Sequence, residues 1–533
     1  MLKKIILTLI ICFGLWLRVV DINKVPPGVY LDEATIAYNA YSIGFFGKDQ
    51  FGMSWPVYFR SMVEYKTPLY VYLTVLPVKL LGMTPIAIRI VSIISGILII
   101  WMTYLLMQHL FNNYKFSLLS ALFVSIVPWA ILNSRSALEP NLALAIYLLS
   151  LYLFHKGLRN KLLLPVAFIL LALTNYAYNA YRFFSLAQVI LLFIFHYKSL
   201  LKIKKIFFIS ILLFIIILIP QLLLLTSAGG THRYQLLSYT SEKYFQANGG
   251  DFQKVPFGQA LFIVHTFLKK YVDYLSPKSI FFDADPIAVR GIPELAAFYP
   301  WMVIPFFIAL VFFSKKHKNN LCLFLGFSGL ISIIPAGLTT DNLYEIRVLP
   351  YLWVITLIVA FGLLMILQKI SQPTAKGLLL GFVISISLVN LYINYFHILR
   401  EEEKVEQSGT LNELFDFTYR NIDKQFIVDL SEPLAYGVAL YEYKLDPRIS
   451  AQMEGLNLKN YYNEIILKKE HQFKNLSFRR IDWVIDTKQT NFLLVGDERT
   501  ISDNLVLENK LKLIMKFSSS LDPRFITIYQ TNP

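Results

Sequence analysis

The chain has 533 residues, of which 56% are hydrophobic and only 16% are charged, and its mean hydropathy is +0.53. Repeated apolar stretches, close to the ~20 residues that cross a bilayer, exclude one large soluble core and predict a polytopic helical membrane protein. The formal net charge of +15 comes from basic residues between these stretches rather than from a continuous patch, which argues against nucleic acid as a partner. The predicted fold class is mainly α, transmembrane.

The first apolar run follows Lys3 and Lys4 and ends near Val20. No small-x-small cleavage pattern follows it, so we expect an uncleaved first helix rather than a signal peptide. Cys12 and Cys322 lie inside apolar runs, where core residues are expected rather than a disulfide or a metal site.

The orientation of the chain follows from its lysines and arginines, which accumulate in cytoplasmic loops. The clusters of lysine and arginine between the apolar runs can all lie on the cytoplasmic side only if the segment 68–83 does not cross the membrane. This segment contains Pro77 and Lys79, so we expect a juxtamembrane or re-entrant helix on the outer side. The N-terminus is then cytoplasmic, and eleven crossings are predicted at 5–20, 86–108, 116–132, 140–155, 162–176, 183–197, 206–226, 298–313, 320–337, 348–368 and 377–397.

The chain becomes polar from about residue 398, which divides a transmembrane module (1–397) from a predicted extracytoplasmic α/β domain (398–533). We expect this domain to be a lid or an acceptor-docking module rather than a second active site. Its predicted strands are 425–430, 482–486, 492–495, 511–517 and 525–529.

An acidic pair, Asp32 and Glu33, follows the first apolar run and begins a stretch of apolar, small and aromatic residues up to Tyr41. The pattern predicts a short amphipathic helix in the membrane interface. The two acids lie in its first turn, where the helix dipole favours the ionised form. They could equally be simple helix caps, because carboxylates are common at that position.

Other charged residues on the same predicted face favour a functional role. Arg135, Arg182 and Arg347 each lie close to a helix end, where a snorkelling arginine is the alternative explanation. Three of them on the outer leaflet oppose the positive-inside bias, and guanidinium groups suit a lipid phosphate. The outer face therefore combines a carboxylate that can accept a hydroxyl proton with cations that can stabilise a departing phosphate, as glycosyl transfer from a lipid phosphate requires.

Residues 1–400 resemble the GT-C glycosyltransferases that use polyprenyl-phosphate sugars, namely the superfamily of protein O-mannosyltransferases and ArnT-like lipid A aminoarabinose transferases. Each motif alone is weak, but their order and common side of the membrane make the set more specific. The resemblance is carried by Leu31-Asp32-Glu33-Ala34, Glu64-Tyr65-Lys66-Thr67-Pro68, Ser134-Arg135 through Leu144, Tyr176 through Arg182, and Asp341-Asn342 with Arg347.

This resemblance implies an inverting transfer in which Asp32 is the general base that activates the acceptor, while Lys66 and several arginines bind the donor phosphate. Glu33 and Glu64 would position Lys66 or the acceptor. The active site is expected between the first outer loop and the 227–297 loop, with the isoprenoid tail in a groove among the helices. The predicted catalytic residues are Asp32 and Glu33, and the predicted substrate-binding residues are Glu64, Lys66, Arg135, Glu139, Tyr178, Arg182, Arg290, Asp341 and Arg347.

Members of this superfamily often carry proline and histidine at positions where this sequence has Leu343, Tyr344 and Gly291. This difference puts a histidine role in doubt. A Trp-Trp-Asp sequence is absent from the C-terminal region, which disfavours an oligosaccharyltransferase. Glu139 is an acid of the kind that helps a divalent cation, but the acids and histidines show no ligand-like spacing, so a metal stays an open alternative.

The predicted partners are a polyprenyl-phosphate sugar donor, a lipid, glycan or protein acceptor, and membrane lipids, with the cell membrane as the location. Two other functions remain as alternatives. A flippase or carrier of lipid-linked glycans would show ionisable residues on both leaflets and within the spans, whereas here they concentrate outside. An O-antigen polymerase-like enzyme would show arginine-rich outer loops without an acidic pair after the first helix.

Overall fold

The structure, a computed structural model, describes residues 1–61, 64–227, 229–231, 237–285, 289–316, 320–341, 345–402, 408–431, 435–463, 470–489, 492–518 and 525–531. Asn342, Leu343 and Tyr344 of the sequence argument lie outside these residues. The chain divides into two compact units. The first comprises Met1–Val20, Thr67–Tyr70 and Val91–Asn394, and the second comprises Asp21–Lys66, Val71–Ile90 and Tyr395–Pro533.

The first unit is helical. It contains long apolar helices and three shorter helices in the segment that follows the seventh predicted crossing. Its helices are α1 (Leu2–Val19), α4 (Pro85–Phe111, from Val91 onward), α5 (Tyr114–Ile126), α6 (Pro128–Arg135), α7 (Glu139–Gly157), α8 (Leu163–Ala177), α9 (Tyr181–Lys202), α10 (Lys204–Leu223), α11 (Glu242–Asn248), α12 (Gly258–Leu275), α13 (Pro277–Phe281), α14 (Val303–Lys316), α15 (Asn320–Gly337), α16 (Leu349–Lys369) and α17 (Pro373–Leu391).

A helix lies at each of the eleven predicted crossings. Within the described residues, six helical segments are long and apolar enough to cross a bilayer, and the bent pair α5–α6 makes a seventh if it is one span. The chain is therefore a multi-pass membrane protein, whereas eleven crossings remain a prediction. The six segments are Pro85–Phe111, Tyr181–Lys202, Lys204–Leu223, Asn320–Gly337, Leu349–Lys369 and Pro373–Glu401.

The segment that decides the predicted orientation forms helix α3 (Pro68–Leu81), which has 14 residues. At 1.5 Å per residue it is about 21 Å long, shorter than the ~30 Å hydrocarbon core. This length agrees with the expected juxtamembrane or re-entrant helix.

The second unit combines segments of the first predicted outer loop with the polar C-terminal region. Six of its strands form a mixed sheet in the order β4-β5-β3-β6-β8-β7, in which β3 runs parallel to β5 and β6. Its elements are α2 (Leu31–Phe46), β1 (Phe59–Arg60), β2 (Tyr65–Lys66), α18 (Leu399–Glu402), α19 (Gly409–Arg420), β3 (Gln425–Asp429), α20 (Ala435–Glu442), α21 (Pro447–Glu454), β4 (His471–Phe473), β5 (Leu476–Phe478), β6 (Phe492–Asp497), α22 (Asp503–Glu508), β7 (Lys512–Ser518) and β8 (Phe525–Gln530).

The small C-terminal sheet was expected, and four of its strands lie where the sequence predicts them. The predicted strand at 482–486 is wrong, because this stretch forms turns that lead into a short 3₁₀ helix. The Asp482 carboxylate accepts hydrogen bonds from the N–H groups of Val484 and Ile485 and holds the backbone in the turn. The apolar, β-branched pattern therefore misled the prediction.

Helix α2 is present where the acidic pair predicts it, but it is not amphipathic. Residues 33–40, 42 and 43 are buried, so the helix is covered on most sides. One of its neighbours is α20, which belongs to the same unit. The expected amphipathic pattern is thus wrong for α2, whereas its place in the membrane interface stays a prediction. Its acidic N-terminus is held inside a packed unit.

Candidate functional site

Helix α2 begins with the two acids of the predicted site. Tyr30 is the N-cap residue, and its backbone N–H donates to Oε2 of Glu33 at 3.3 Å, which satisfies one donor at the helix start. Asp32 and Glu33 both lie in the first turn, where the N-terminal end of the helix dipole favours negative charge. The local sequence thus places the carboxylates of Asp32 and Glu33 next to each other, and each has its own set of contacts.

Glu33 forms a buried, bidentate ion pair with Arg89 near the start of α4. Nε of Arg89 donates to Oε1 at 2.9 Å and Nη2 donates to Oε2 at 2.7 Å. The same guanidinium group donates to the carbonyl oxygens of Ile22, Pro26 and Gly28. Because planar guanidinium forks fix geometry as well as charge, this pair holds the chain that enters α2.

Gly28 shows how closely the C-terminal region approaches this entry. Its φ is +78°, and an added Cβ would lie 2.6 Å from backbone atoms of Gly409. The next residue, Val29, donates its N–H to Oδ1 of Asn412 at 2.7 Å. Only glycine meets both requirements at residue 28 without displacing its neighbours.

Asp32, Glu64 and Lys66 form what we call the acid–lysine cluster. Nζ of Lys66 lies 2.7 Å from Oδ1 of Asp32 and 3.6 Å from Oε1 of Glu64. The lysine side chain is 3% exposed, whereas that of Asp32 is 31% exposed. The cluster therefore presents one accessible carboxylate whose orientation is set by a buried ammonium group.

The arginine cluster, made of Arg290, Asp341 and Arg347, lies in the first unit. Nη2 of Arg347 donates to Oδ2 of Asp341 at 2.6 Å, and Nη1 donates to Oγ1 of Thr339. Nη1 of Arg290 lies 3.7 Å from Oδ1 of the same aspartate. Two guanidinium groups thus share one carboxylate, which leaves a net positive charge. Lys270 of α12 fixes this loop by donating to the carbonyl oxygens of Thr340 and Asp341.

A cavity of about 320 Å³ lies beside the arginine cluster, within the first unit. Its wall carries one arginine among several carboxyl groups and aromatic rings. Carboxylates accept hydrogen bonds from hydroxyl groups, and the volume is at the small end of the range for ligand pockets. Its charged and aromatic lining residues are Tyr274, Asp283, Asp285, Arg290, Asp341, Glu345 and Tyr351.

Glu345 and Lys270 have shifted protonation equilibria. Burial, together with the nearby Asp285 carboxylate, raises the pKa of Glu345 to about 8, so its carboxyl group is mainly neutral at pH 7. Burial lowers the pKa of Lys270, although the neighbouring Asp341 opposes this shift. Raised carboxyl pKa values in a cavity are typical of functional sites but also occur in structural networks.

Known proteins agree with the resemblance that the motifs indicate. Residues 65–223 match the family model described as dolichyl-phosphate-mannose-protein mannosyltransferase. The structure resembles that of ArnT from Cupriavidus metallidurans in the apo state, with a TM-score of 0.56 at 11% identity over 98% of this chain and 97% of that one. ArnT bound to undecaprenyl phosphate matches with a TM-score of 0.54, again at 11% identity and with the same coverage.

The chain therefore shares the fold of ArnT, and the match to the mannosyltransferase family model covers residues 65–223 alone. An oligosaccharyltransferase from Archaeoglobus fulgidus is also similar, at 14% identity and a TM-score of 0.48 over 82% of this chain, and this chain spans only 63% of its length. At these identities the likeness to solved structures concerns the fold. Comparison with curated protein sequences gives no match.

The other four predicted site residues have contacts of their own within the first unit. Arg135 is fully buried at the end of α6 and donates to the carbonyl oxygen of Leu17 at 2.7 Å. Arg182, in the first turn of α9, donates to the carbonyl oxygen of Gly230 at 3.3 Å. Glu139 begins α7 and is partly exposed, and Tyr178 is a buried residue directly after α8. The substrate-binding roles given to these four residues remain predictions.

Sequence reasoning missed Arg89, Lys270 and Glu345. Arg89 had a signal, because a lone arginine at the start of an apolar run needs a buried partner. Its pairing with Glu33, 56 positions earlier, could not be read from spacing alone. Lys270 and Glu345 had no comparable signal, since their importance depends on which loop folds beside which helix.

No metal centre emerges from the parts of the chain given above, because no group of three or more His, Cys, Asp or Glu side chains there could hold an ion. Cys12 and Cys322 are both free thiols.

Proposed function

We propose that the protein moves a sugar from a polyprenyl-phosphate donor to an acceptor hydroxyl with inversion, at the outer face of the cell membrane, with Asp32 as the general base. The single observation that carries this proposal is the contact between Asp32 and Lys66. It places an accessible carboxylate beside a buried cation in the segment where the resemblance implies both roles.

The reaction needs one proton acceptor and one anion-binding group. Asp32 accepts the proton of the acceptor hydroxyl as its oxygen attacks the anomeric carbon, and the bond from that carbon to the phosphate oxygen breaks. Polyprenyl phosphate leaves with the electron pair, and Lys66 stabilises its charge. One displacement of this kind inverts the anomeric configuration.

Lys66 has two anionic neighbours in the structure, Asp32 and Glu64. A donor phosphate competes with both for the ammonium group. We propose that the donor draws Lys66 away from Asp32, which leaves the aspartate free to meet the acceptor hydroxyl. Glu64 keeps the lysine near the phosphate in both arrangements.

The neighbouring acid has a different role in this proposal. Glu33 is buried, and both of its oxygens accept hydrogen bonds from Arg89. It therefore positions Asp32 through the start of α2 rather than exchanging a proton itself.

The cavity beside the arginine cluster suits a single sugar. Its volume of about 320 Å³ and its carboxyl-rich wall fit a polyhydroxylated ring rather than a large glycan. Arg290 and Arg347 would supply positive charge for a phosphate group at the edge of this cavity. ArnT, whose fold this chain shares, has been seen with undecaprenyl phosphate, which supports a lipid-linked donor. The sequence leaves a role for a divalent cation as an open alternative, and no step in this scheme uses such a cation.

The test measures release of polyprenyl phosphate from radiolabelled polyprenyl-phosphate sugars by the purified protein in lipid, supplied with membrane extract as a source of acceptor. We expect wild type to release the carrier and Asp32→Asn to lose release by at least a hundredfold, because general-base catalysis contributes about 10²–10⁴. Asp251→Asn, a change at a carboxylate that is 94% exposed, is the matched control and keeps wild-type release.

Failure of wild type to release the carrier from any donor, despite measurable donor binding, would contradict the transferase and favour a carrier. Equal release by wild type and Asp32→Asn would leave a transferase but overturn the role given to Asp32.

A further inference from the structure

Lys66, the donor-binding residue of the proposed function, is carried by a very small element. Strands β1 and β2 pair over two residues each, Phe59 with Lys66 and Arg60 with Tyr65. An isolated two-stranded hairpin is marginally stable in water even when longer. Something else must hold Lys66 within 2.7 Å of Asp32.

Two adjacent tyrosines from the C-terminal region meet this hairpin. The N–H of Arg60 donates to the hydroxyl of Tyr461 at 2.8 Å, and the N–H of Val57 donates to the hydroxyl of Tyr462 at 2.9 Å. The hydroxyl of Tyr65 donates in turn to the carbonyl oxygen of Tyr461 at 2.5 Å. Both sides of the hairpin are thus bonded to residues about 400 positions away in the chain.

The Tyr461 hydroxyl is also tied to the segment that follows α2. It donates to Oδ2 of Asp49 at 2.5 Å, while Oδ1 of this aspartate accepts the N–H groups of Phe51 and Met53. Tyr461 is 0% exposed and Asp49 is 1% exposed. In such a dry setting each of these hydrogen bonds is costly to leave unmade. One hydroxyl therefore connects the end of α2 with the strand that precedes Lys66.

We propose that Tyr461 and Tyr462 are positioning residues for Lys66, so that the C-terminal region sets the donor-binding lysine of this transferase rather than only covering or docking the acceptor. The inference rests on the proposed function for the role of Lys66, but the placement of the lysine can be tested without transfer.

The variants Tyr461→Phe and Tyr462→Phe keep the aromatic rings and the Tyr461 carbonyl while removing the hydroxyl groups that receive the Arg60 and Val57 N–H groups. Tyr443→Phe is the matched control. Its buried hydroxyl bonds to Thr418 and Asn475 in the same unit rather than to the hairpin. All three changes remove buried hydroxyl groups, so a general loss of stability would affect them alike.

The first readout is labelling of the Lys66 amine by a water-soluble acylating reagent, followed by mass spectrometry of its peptide. The lysine side chain is 3% exposed in the native arrangement. We expect labelling to accelerate at least fivefold in Tyr461→Phe and less in Tyr462→Phe, with no change in Tyr443→Phe. Unchanged labelling in both hairpin variants, or equal acceleration in all three, would overturn the inference.

The second readout is the kinetics of carrier release. We expect Tyr461→Phe to lower kcat/KM for the polyprenyl-phosphate sugar about five- to tenfold, as loss of one good hydrogen bond allows, because Lys66 both binds the donor phosphate and stabilises its charge as it leaves. A kcat/KM in Tyr461→Phe equal to that of Tyr443→Phe would overturn the positioning role. If wild type releases no carrier, the proposed function fails on that result alone, while labelling still decides whether the tyrosines hold Lys66.

Discussion

The acid–lysine cluster and the arginine cluster are built from the same kinds of groups in opposite proportions. Asp32, Glu64 and Lys66 combine two carboxylates with one ammonium group, whereas Arg290, Asp341 and Arg347 combine two guanidinium groups with one carboxylate. The first cluster keeps a negative excess, as a proton acceptor requires. The second keeps a positive excess, as an anion-binding site requires.

The two clusters also differ in how they are held. Glu33, next to the accessible Asp32, is fixed by a buried ion pair, so the geometry of the acid–lysine cluster is set by charge inside the second unit. The arginine cluster rests on loop carbonyl groups that accept hydrogen bonds from Lys270, beside an open cavity. A buried ion pair thus supports the helix that carries Asp32, whereas hydrogen bonds to backbone carbonyl groups support the loop that carries Asp341.

The largest expected effect concerns this buried support. We predict that Arg89→Ala lowers the free energy of unfolding by about 3–5 kcal/mol, because Glu33 is left as an uncompensated buried charge. Thermal unfolding in detergent measures the change. Arg420→Ala is the control. It breaks an exposed ion pair with Asp416, and its unfolding temperature should equal that of wild type.

A double variant sharpens this test. Glu33→Gln with Arg89→Met removes both charges and should recover most of the stability lost in Arg89→Ala. A double variant as unstable as the single one would show that the hydrogen bonds from Arg89 to backbone carbonyl groups, not the ion pair, hold the entry to α2.

Removing an arginine from the second cluster should affect donor binding rather than stability. We predict that Arg347→Ala weakens binding of the polyprenyl-phosphate sugar about ten- to a hundredfold, the usual range for a lost charge-assisted hydrogen bond. Arg347→Lys restores only part of it, since an ammonium group cannot reproduce the guanidinium fork. Arg159→Ala, at an exposed arginine after α7, serves as the control, and its Kd should equal that of wild type.

A smaller, pH-dependent effect is expected at the cavity. Because the pKa of Glu345 is raised to about 8, the carboxyl group is neutral below that pH and becomes charged above it. Its added negative charge faces the cavity, so donor affinity should fall a few-fold between pH 7 and 9. The same raised pKa means that this group's contribution to stability is full below pH ~4.5 and is lost as the pH rises through 8.

Titration of donor binding in wild type and Glu345→Gln checks this assignment. The amide cannot ionise, so the affinity of the variant should fall much less over that pH range. A pH profile in Glu345→Gln identical to that of wild type would assign the effect to another group of the cavity.

The sequence predicted the helical membrane architecture and most of the C-terminal strands, and it named Asp32 and Lys66 as site residues without predicting the contact between them. Those features depend on local pattern or on motifs that resemble a known superfamily. The Glu33–Arg89 pair, the Lys270 contacts and the bonds from Tyr461 to the hairpin join residues separated by 56 to about 400 positions, so no periodicity reports them. Helix α2 was misjudged because its short apolar and aromatic pattern does not distinguish a buried helix from an amphipathic one.

The most direct test of the division between the two clusters is a paired measurement on Asp32→Asn. It combines the Kd for the polyprenyl-phosphate sugar with the single-turnover rate of transfer at saturating donor. We predict a Kd within about twofold of wild type and a rate lowered at least a hundredfold, because the amide preserves shape but cannot accept the proton. A Kd weakened tenfold or more with an unchanged rate would contradict the account and make Asp32 a binding residue.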